Sequence, residues 1–270
     1  MPKILDIRVD DITLQEATET IIQWTQDNEQ RYVTTPNPEI LLESEKNVEF
    51  KNALNRADLN IPDGTGILWA AKYQKITENG RRKKLKWILS LLSILFFPRY
   101  IRSELRERVT GADLMKNICL KAPKNVVKIF LLGANEGVAE RVKEELEKKH
   151  KNIEIVGTYS GSPKLEHDSG IIEKINSTTA NMLFIAFGAP KQELWIARNL
   201  KKLNKIKVAV GVGGTFDFIA GTRKRAPQWL QKIGLEWLYR LIQQPLRIAR
   251  IYRATIKFPV RVLKSRTVSW

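Results

Sequence analysis

One carboxylate stands out for where the chain puts it. In Leu59-Asn60-Ile61-Pro62-Asp63-Gly64-Thr65-Gly66 an apolar, strand-like run breaks at Pro62 and hands Asp63 to a turn built on two glycines, ahead of the apolar run Ile67-Leu68-Trp69-Ala70-Ala71. Open α/β sheets bind ligands at such strand-to-helix turns. Asp63 is therefore either a general base or ligand contact, or the cap of the helix that follows. In Thr35-Pro36-Asn37-Pro38 two prolines bracket Asn37, which fits a helix N-cap with Pro38 at the first helical position. A turn this rigid would also aim Thr35 and Asn37 in a fixed direction. Arg108 has the planar fork that suits phosphate oxygens.

Other chemistries lack their residues. The chain has no Gly-x-Ser-x-Gly elbow and no Walker A lysine pattern, and the turn at Gly133 has the wrong spacing for a dinucleotide fingerprint. No Asp-x-Asp triplet occurs. His150 and His167, the two histidines, stand in polar surroundings and read as surface residues. Cys119 is the single cysteine, in a helix-like apolar pattern, so it reads as a core residue and rules out a disulfide framework or cysteine-based zinc site within one chain. Carboxylate, amide, hydroxyl and arginine groups remain, and no metal or cofactor is expected.

The elements that must position these groups repeat. Residues 12–28 read as an amphipathic helix and Arg31–Thr34 as a short strand. Thr110 caps a helix from Gly111 to Leu120. Apolar strands at Val126–Leu132, Ile153–Val156, Met182–Phe187 and Lys207–Val212 each end in a glycine-containing turn before the next helix or loop. Apolar strands alternating with helices predict an α/β fold, a Rossmann-like parallel sheet with helices on both faces. Its glycine turns open toward one edge, where helix-start N–H groups suit a nucleotide or phosphate. Gly133, Tyr159, Gly188, Gly213, Gly214 and Thr215, with Asp217 just beyond, are the candidate nucleotide contacts.

The charge is uneven. Of the net +17, residues 80–108 carry +7 and residues 221–270 carry +11, leaving a body near neutrality. Both basic segments also hold apolar runs, which points to an anionic membrane surface rather than nucleic acid. Trp87–Phe97 is uncharged but short of the roughly 20 apolar residues a bilayer span needs. It reads as an interfacial helix with a basic collar, or as a buried core helix. The last fifty residues read as helices starting at Pro227 and Pro245, with a basic stripe through Arg247, Arg250, Arg253, Lys257, Arg261 and Lys264. Domain bounds follow: a core over 1–220, interrupted at about 80–104, and a basic helical appendage over 221–270. Met1–Asp11 is mixed and charged, without the apolar run of a secretory leader, so the expectation is a cytoplasmic protein.

Five motifs in order, Thr34-Thr35-Pro36-Asn37-Pro38-Glu39, Pro62-Asp63-Gly64-Thr65-Gly66, Arg108-Val109-Thr110-Gly111-Ala112-Asp113-Leu114, Phe187-Gly188-Ala189-Pro190-Lys191-Gln192-Glu193 and Gly211-Val212-Gly213-Gly214-Thr215-Phe216-Asp217, resemble the TagA/WecG/CpsF family of bacterial glycosyltransferases. The resemblance spans about residues 1–250. It implies an inverting, metal-independent transfer of N-acetylmannosamine from a UDP-sugar to an undecaprenyl-diphosphate-linked GlcNAc at the cytoplasmic membrane face, in teichoic acid or related polymer synthesis. The family's catalytic base matches Asp63, and its pocket residues match Thr35, Asn37, Arg108 and Gln192. Its C-terminal appendage binds the membrane and offers arginines to the lipid diphosphate, with Arg240, Arg247 and Arg250 as the counterparts here. The segment at 80–104 departs from the shorter family pattern, so its role does not carry over. The implied partners are a UDP-sugar donor, a polyprenyl-diphosphate-linked sugar acceptor, an anionic membrane surface and, optionally, a second copy of the chain. A sugar hydroxyl near neutral pH needs a base, and a departing UDP can be stabilised by backbone amides and an arginine. Two alternatives stand beside this: a related hexosyl- or ManNAc-uronic-acid transferase of capsule, exopolysaccharide or common-antigen assembly, and a non-enzymatic membrane or nucleic-acid binding module. For the last, the Asp63, Asn37 and Gln192 turns would have no reason to converge.

Overall fold

A computed structural model of the 270-residue chain describes residues 1–78, 83–97, 99–227, 230, 236–245 and 248–265. It opens with a hairpin, β1 (Lys3–Ile4) and β2 (Ile7–Arg8), turned at Leu5 and Asp6 with φ of 50° and 64°. Two successive left-handed residues make the turn type that matches strand twist, usually spelled Asn-Gly. Leucine and aspartate in those places hide it in the sequence.

Six strands form one sheet: β3 (Arg31–Thr34), β4 (Leu59–Asn60), β5 (Lys128–Gly133), β6 (Glu154–Tyr159), β7 (Met182–Ala186) and β8 (Val208–Gly211). Their order is β4-β3-β8-β7-β5-β6, and every neighbouring pair is parallel. The expected α/β fold is thus observed. Because side chains alternate along a strand, each strand feeds two cores. Ile129, Leu131, Met182, Phe184, Val208 and Val210 face one way, against α1 (Leu14–Trp24), α6 (Gly111–Lys121), α7 (Val138–Lys149) and α10 (Thr215–Ile219). Phe130, Leu132, Leu183, Ile185 and Ala209 face the other, against α8 (Asp168–Asn176) and α9 (Lys191–Asn199). Burial on both faces explains why these strands read as unbroken apolar runs.

A third core lies beside the sheet. It joins the hairpin to α2 (Pro38–Ser44), α3 (Val48–Arg56), α4 (Thr65–Thr77) and the face that α5 (Lys83–Phe96) turns inward. The C-terminal segment follows with α11 (Glu236–Gln243), α12 (Ile248–Tyr252), a π-helical turn at Arg253–Lys257 and α13 (Phe258–Lys264). Helical structure there agrees with the sequence. Its last helix does not hang free, however: Phe258 and Val262 are buried in the third core with Trp69. The expected helix start at Pro227 falls mostly outside the described residues. Among the described residues no helix is long and apolar enough to cross a membrane.

Candidate active site

The carboxyl ends of adjacent strands β3 and β4 run side by side, with Thr34 paired to Asn60. The motifs that follow them therefore emerge together. The Asp63 N–H donates to the Pro36 carbonyl at 3.0 Å, and the Val109 N–H donates to the Pro62 carbonyl at 3.0 Å. Asp63 is thus held between the Thr35 and Arg108 motifs. Gly64 has a φ of 133°, and a Cβ on Gly66 would lie 2.8 Å from Pro38 Cγ, so this turn closes against Pro38 only with glycine. Gly64 is the N-cap of α4, so Asp63 stands one position before the helix cap.

A cleft of about 700 Å³ opens over these strand ends. Of the residues singled out from sequence, Asp63, Thr35, Asn37, Gln192, Gly188, Gly213, Gly214, Thr215, Asp217 and Arg250 line it. Several are already committed to holding the cleft's shape. Asn37 Oδ1 accepts from the N–H groups of Glu39 (3.0 Å) and Ile40 (3.1 Å), the expected N-cap. Thr35 Oγ1 donates to the Gly211 carbonyl at 3.3 Å. Buried Gln192 accepts at Oε1 from the N–H groups of Gly188 and Gly213, each at 3.1 Å, which laces the turns after β7 and β8 together. Its Nε2 donates to Glu193 Oε1 at 2.9 Å. Glu193 is fully buried, and burial pushes its carboxyl up to about 7 against the hydrogen bonds from Gln192 and its own N–H.

Other singled-out residues lie elsewhere. Gly133 ends β5, backed against Ala186 and directly before the cleft-lining Ala134 and Asn135, and Tyr159 ends the sheet-edge strand β6 under the Lys174 ammonium, 4.9 Å from its ring centre. Arg108 faces buried Glu236 at 3.6 Å and, among the described residues, is not part of the cleft lining. Arg247 and the side chain of Arg240 lie outside the described residues. Arg250 lines the cleft in a forked ion pair with Glu39, its shortest contact 2.7 Å.

Sequence reasoning passed over Arg225, which lines the same cleft. Its guanidinium donates to both carboxylate oxygens of Asp113 (2.5 and 2.8 Å) and to Thr110 Oγ1 (3.2 Å). Burial pushes Asp113 up, but the bonds from Arg225 and Thr110 outweigh it and hold its carboxyl below the ordinary value. For Arg225, burial disfavours the charge, yet Asp113, Glu236 and Asp63 keep the guanidinium more firmly protonated than usual. A cation is thereby fixed within the field of Asp63. Its run, Arg223-Lys224-Arg225, reads in the sequence as part of a basic tail, which masked it.

The arrangement offers a carboxylate, a fixed guanidinium and two laced glycine turns in one concave site, as group transfer between polar substrates requires. Comparison with known proteins agrees. The family model described as the glycosyl transferase WecG/TagA/CpsF family matches residues 2–96 and 92–269. The chain belongs to this family. It is also 31% identical over 242 residues to an N-acetylglucosaminyldiphosphoundecaprenol N-acetyl-beta-D-mannosaminyltransferase of Bacillus spizizenii, covering 90% of this chain and 82% of that protein. As a WecG/TagA/CpsF member the chain is a glycosyltransferase, and the cleft over β3, β4, β7 and β8 is its candidate active site.

Proposed function

We propose that the protein transfers N-acetylmannosamine from UDP-N-acetylmannosamine to the GlcNAc of an undecaprenyl-diphosphate carrier, as an inverting, metal-independent enzyme at the inner face of the cell membrane, in the linkage step of a teichoic-acid-type polymer. The observation that carries the reading is the placement of Asp63. It stands at the carboxyl end of β4, in the same cleft as Asn37, Gly188, Gly213 and Arg225.

Asp63 takes the proton from the attacking GlcNAc hydroxyl as that oxygen closes on the sugar carbon. Displacement with inversion requires the base on the face opposite the leaving group. The departing UDP gains negative charge, which Arg225 and the backbone N–H of Gly214 offset. Gln192 keeps the Gly188 and Gly213 turns in register while this happens. Arg250, with Arg240 and Arg247 of the same segment, contacts the acceptor diphosphate. The basic segment 221–270 holds the enzyme on anionic lipid beside its substrate, where each basic residue near the surface adds about 1 kcal/mol.

The test is release of UDP from a panel of UDP-sugars, with and without a lipid-diphosphate-GlcNAc acceptor. The expected result is acceptor-dependent release from UDP-N-acetylmannosamine that persists in EDTA. Acceptor-dependent release from another UDP-sugar only would replace the donor assignment, and strict dependence on added Mg²⁺ or Mn²⁺ would overturn the metal-independent mechanism.

A further inference from the structure

Helix α5 is apolar on two sides, and the protein covers one of them. Trp87, Leu91 and Ile94 pack against the core that holds Trp69, Phe258 and Val262. Trp69 Nε1 donates to Ser90 Oγ at 3.0 Å, and Trp87 Nε1 donates to the Pro259 carbonyl at 3.0 Å. The other side carries Leu85, Ile88, Leu89 and Leu92, spaced i, i+3, i+4, i+7, so they form one stripe. Their exposures are 50%, 51%, 57% and 49%, and Phe97 just beyond is 67% exposed. Single exposed apolar residues are ordinary, but a contiguous apolar patch marks an interaction surface.

The flanking charge identifies the partner. Lys83, Lys84 and Lys86 open the helix, Arg99 and Arg102 follow it, and no acidic residue lies between Glu78 and Glu104. A second copy of the chain meeting this stripe would bring cations against cations in either orientation, which opposes self-pairing. An anionic bilayer surface offers acyl chains to the stripe and phosphate to the cations. With 14 residues the helix is too short to cross the bilayer, which takes about 20, so it must lie in the interface.

We infer that α5 is a membrane-docking helix, lying flat in an anionic lipid interface with Leu85, Ile88, Leu89 and Leu92 buried among the acyl chains. The Trp87–Pro259 hydrogen bond couples it to the C-terminal helical run, where Ile248, Tyr252 and Ile256 are also exposed, at 64%, 58% and 52%. That same run carries Arg250 into the cleft. Lipid contact at α5 would therefore set the cleft's position relative to the bilayer. This purpose rests on the lipid-linked acceptor proposed above, whereas the docking itself does not.

The test is co-sedimentation of the full-length protein with phosphatidylglycerol/phosphatidylcholine vesicles and with phosphatidylcholine alone. Ile88→Gln/Leu92→Gln keeps good helix formers and the charges. It is expected to lower partition onto anionic vesicles roughly tenfold or more, given the apolar area withdrawn, while the thermal midpoint and turnover on a water-soluble short-chain acceptor stay within about twofold. Unchanged partition of this variant, or equal wild-type binding to neutral and anionic vesicles, overturns the inference. A lower sedimentation mass of the variant with unchanged vesicle binding also overturns it, by assigning the stripe to a second copy. Should the double variant fold poorly, an environment-sensitive dye on Leu89→Cys decides: a blue shift on adding anionic vesicles supports docking, and no shift overturns it. Loss of vesicle binding by the variant, in a protein that releases UDP from no donor, would uphold docking while refuting the transferase reading.

Discussion

Arg250 grips Glu39 across the cleft, with Nε 3.1 and 3.0 Å from the two carboxylate oxygens and a terminal nitrogen 2.7 Å from one of them. Glu39 follows Asn37 and Pro38 at the start of α2, whereas Arg250 comes from the C-terminal segment. The pair therefore joins the start of α2 to the C-terminal segment across the cleft. Arg253 and Arg261 repeat the pattern with Glu43 at 3.8 Å and Glu45 at 2.7 Å. If Arg250 binds the acceptor diphosphate, Glu39 competes for it. Arg250→Ala is expected to lower kcat/KM for the lipid acceptor by roughly 10–100-fold, the worth of a charge-assisted contact, with donor KM within about twofold. Glu39→Gln is expected to lower acceptor KM. Steady-state kinetics with each substrate varied checks both, and an Arg250→Ala effect confined to the donor would reassign the residue.

Replacing Asp63 by asparagine keeps the shape of the turn and removes the carboxylate proposed as the base. Turnover is expected to fall about 10²–10⁴-fold, while UDP affinity, measured by calorimetry, stays near the wild-type value. Near-normal turnover would take the proton-abstracting role from Asp63.

Gly66→Ala tests whether the turn geometry matters apart from its carboxylate. The added methyl would meet Pro38 Cγ at 2.8 Å and lies within 4 Å of the Phe258 ring. Backbone and ring must shift, at an expected cost of about 1–3 kcal/mol, seen in denaturant unfolding. A larger loss of kcat than of stability would show that the position of Asp63 is sensitive to the turn.

Glu193 gives a pH signature. Its folded-state carboxyl titrates near 7 against an ordinary 4.5, so between those values the folded chain holds more protons than the unfolded one. Its contribution to stability therefore falls as pH rises from about 4.5 to 7 and is level above that. Glu193→Gln removes the titration. Denaturation of both proteins at pH 5 and pH 8 is expected to show the variant gaining relative to wild type at pH 8. No change in the difference between them would mean that Glu193 does not titrate in this range.

Phe258→Ala probes the seating of the C-terminal segment. The side chain is fully buried beside Trp69 and Val262, and its truncation is expected to cost roughly 3–5 kcal/mol, read as a lower denaturation midpoint. A shift typical of an exposed site would mean that α13 is not part of the core.

Local physics was enough to read much of this protein. Burial on both faces leaves unbroken apolar strands, so the parallel sheet could be told from runs such as Met182–Phe187. Asn37, Pro38 and Thr110 marked their helix starts because capping is a matter of neighbouring residues. Asp63 and the glycine turns after β7 and β8 could be found because loops at the carboxyl ends of parallel strands share an edge, whereas Gln192 was marked only by the resemblance to the family. Contacts between distant parts of the chain were decided by tertiary structure alone. Arg225 reaches Asp113 across 112 positions, and Arg250 reaches Glu39 across 211. Nothing in a run of basic residues tells which guanidinium will turn inward. The same holds for α5: its composition is equally compatible with a core helix and an interfacial one, and only the packing of Trp87 and Ser90 against the third core shows which side is left for solvent or lipid.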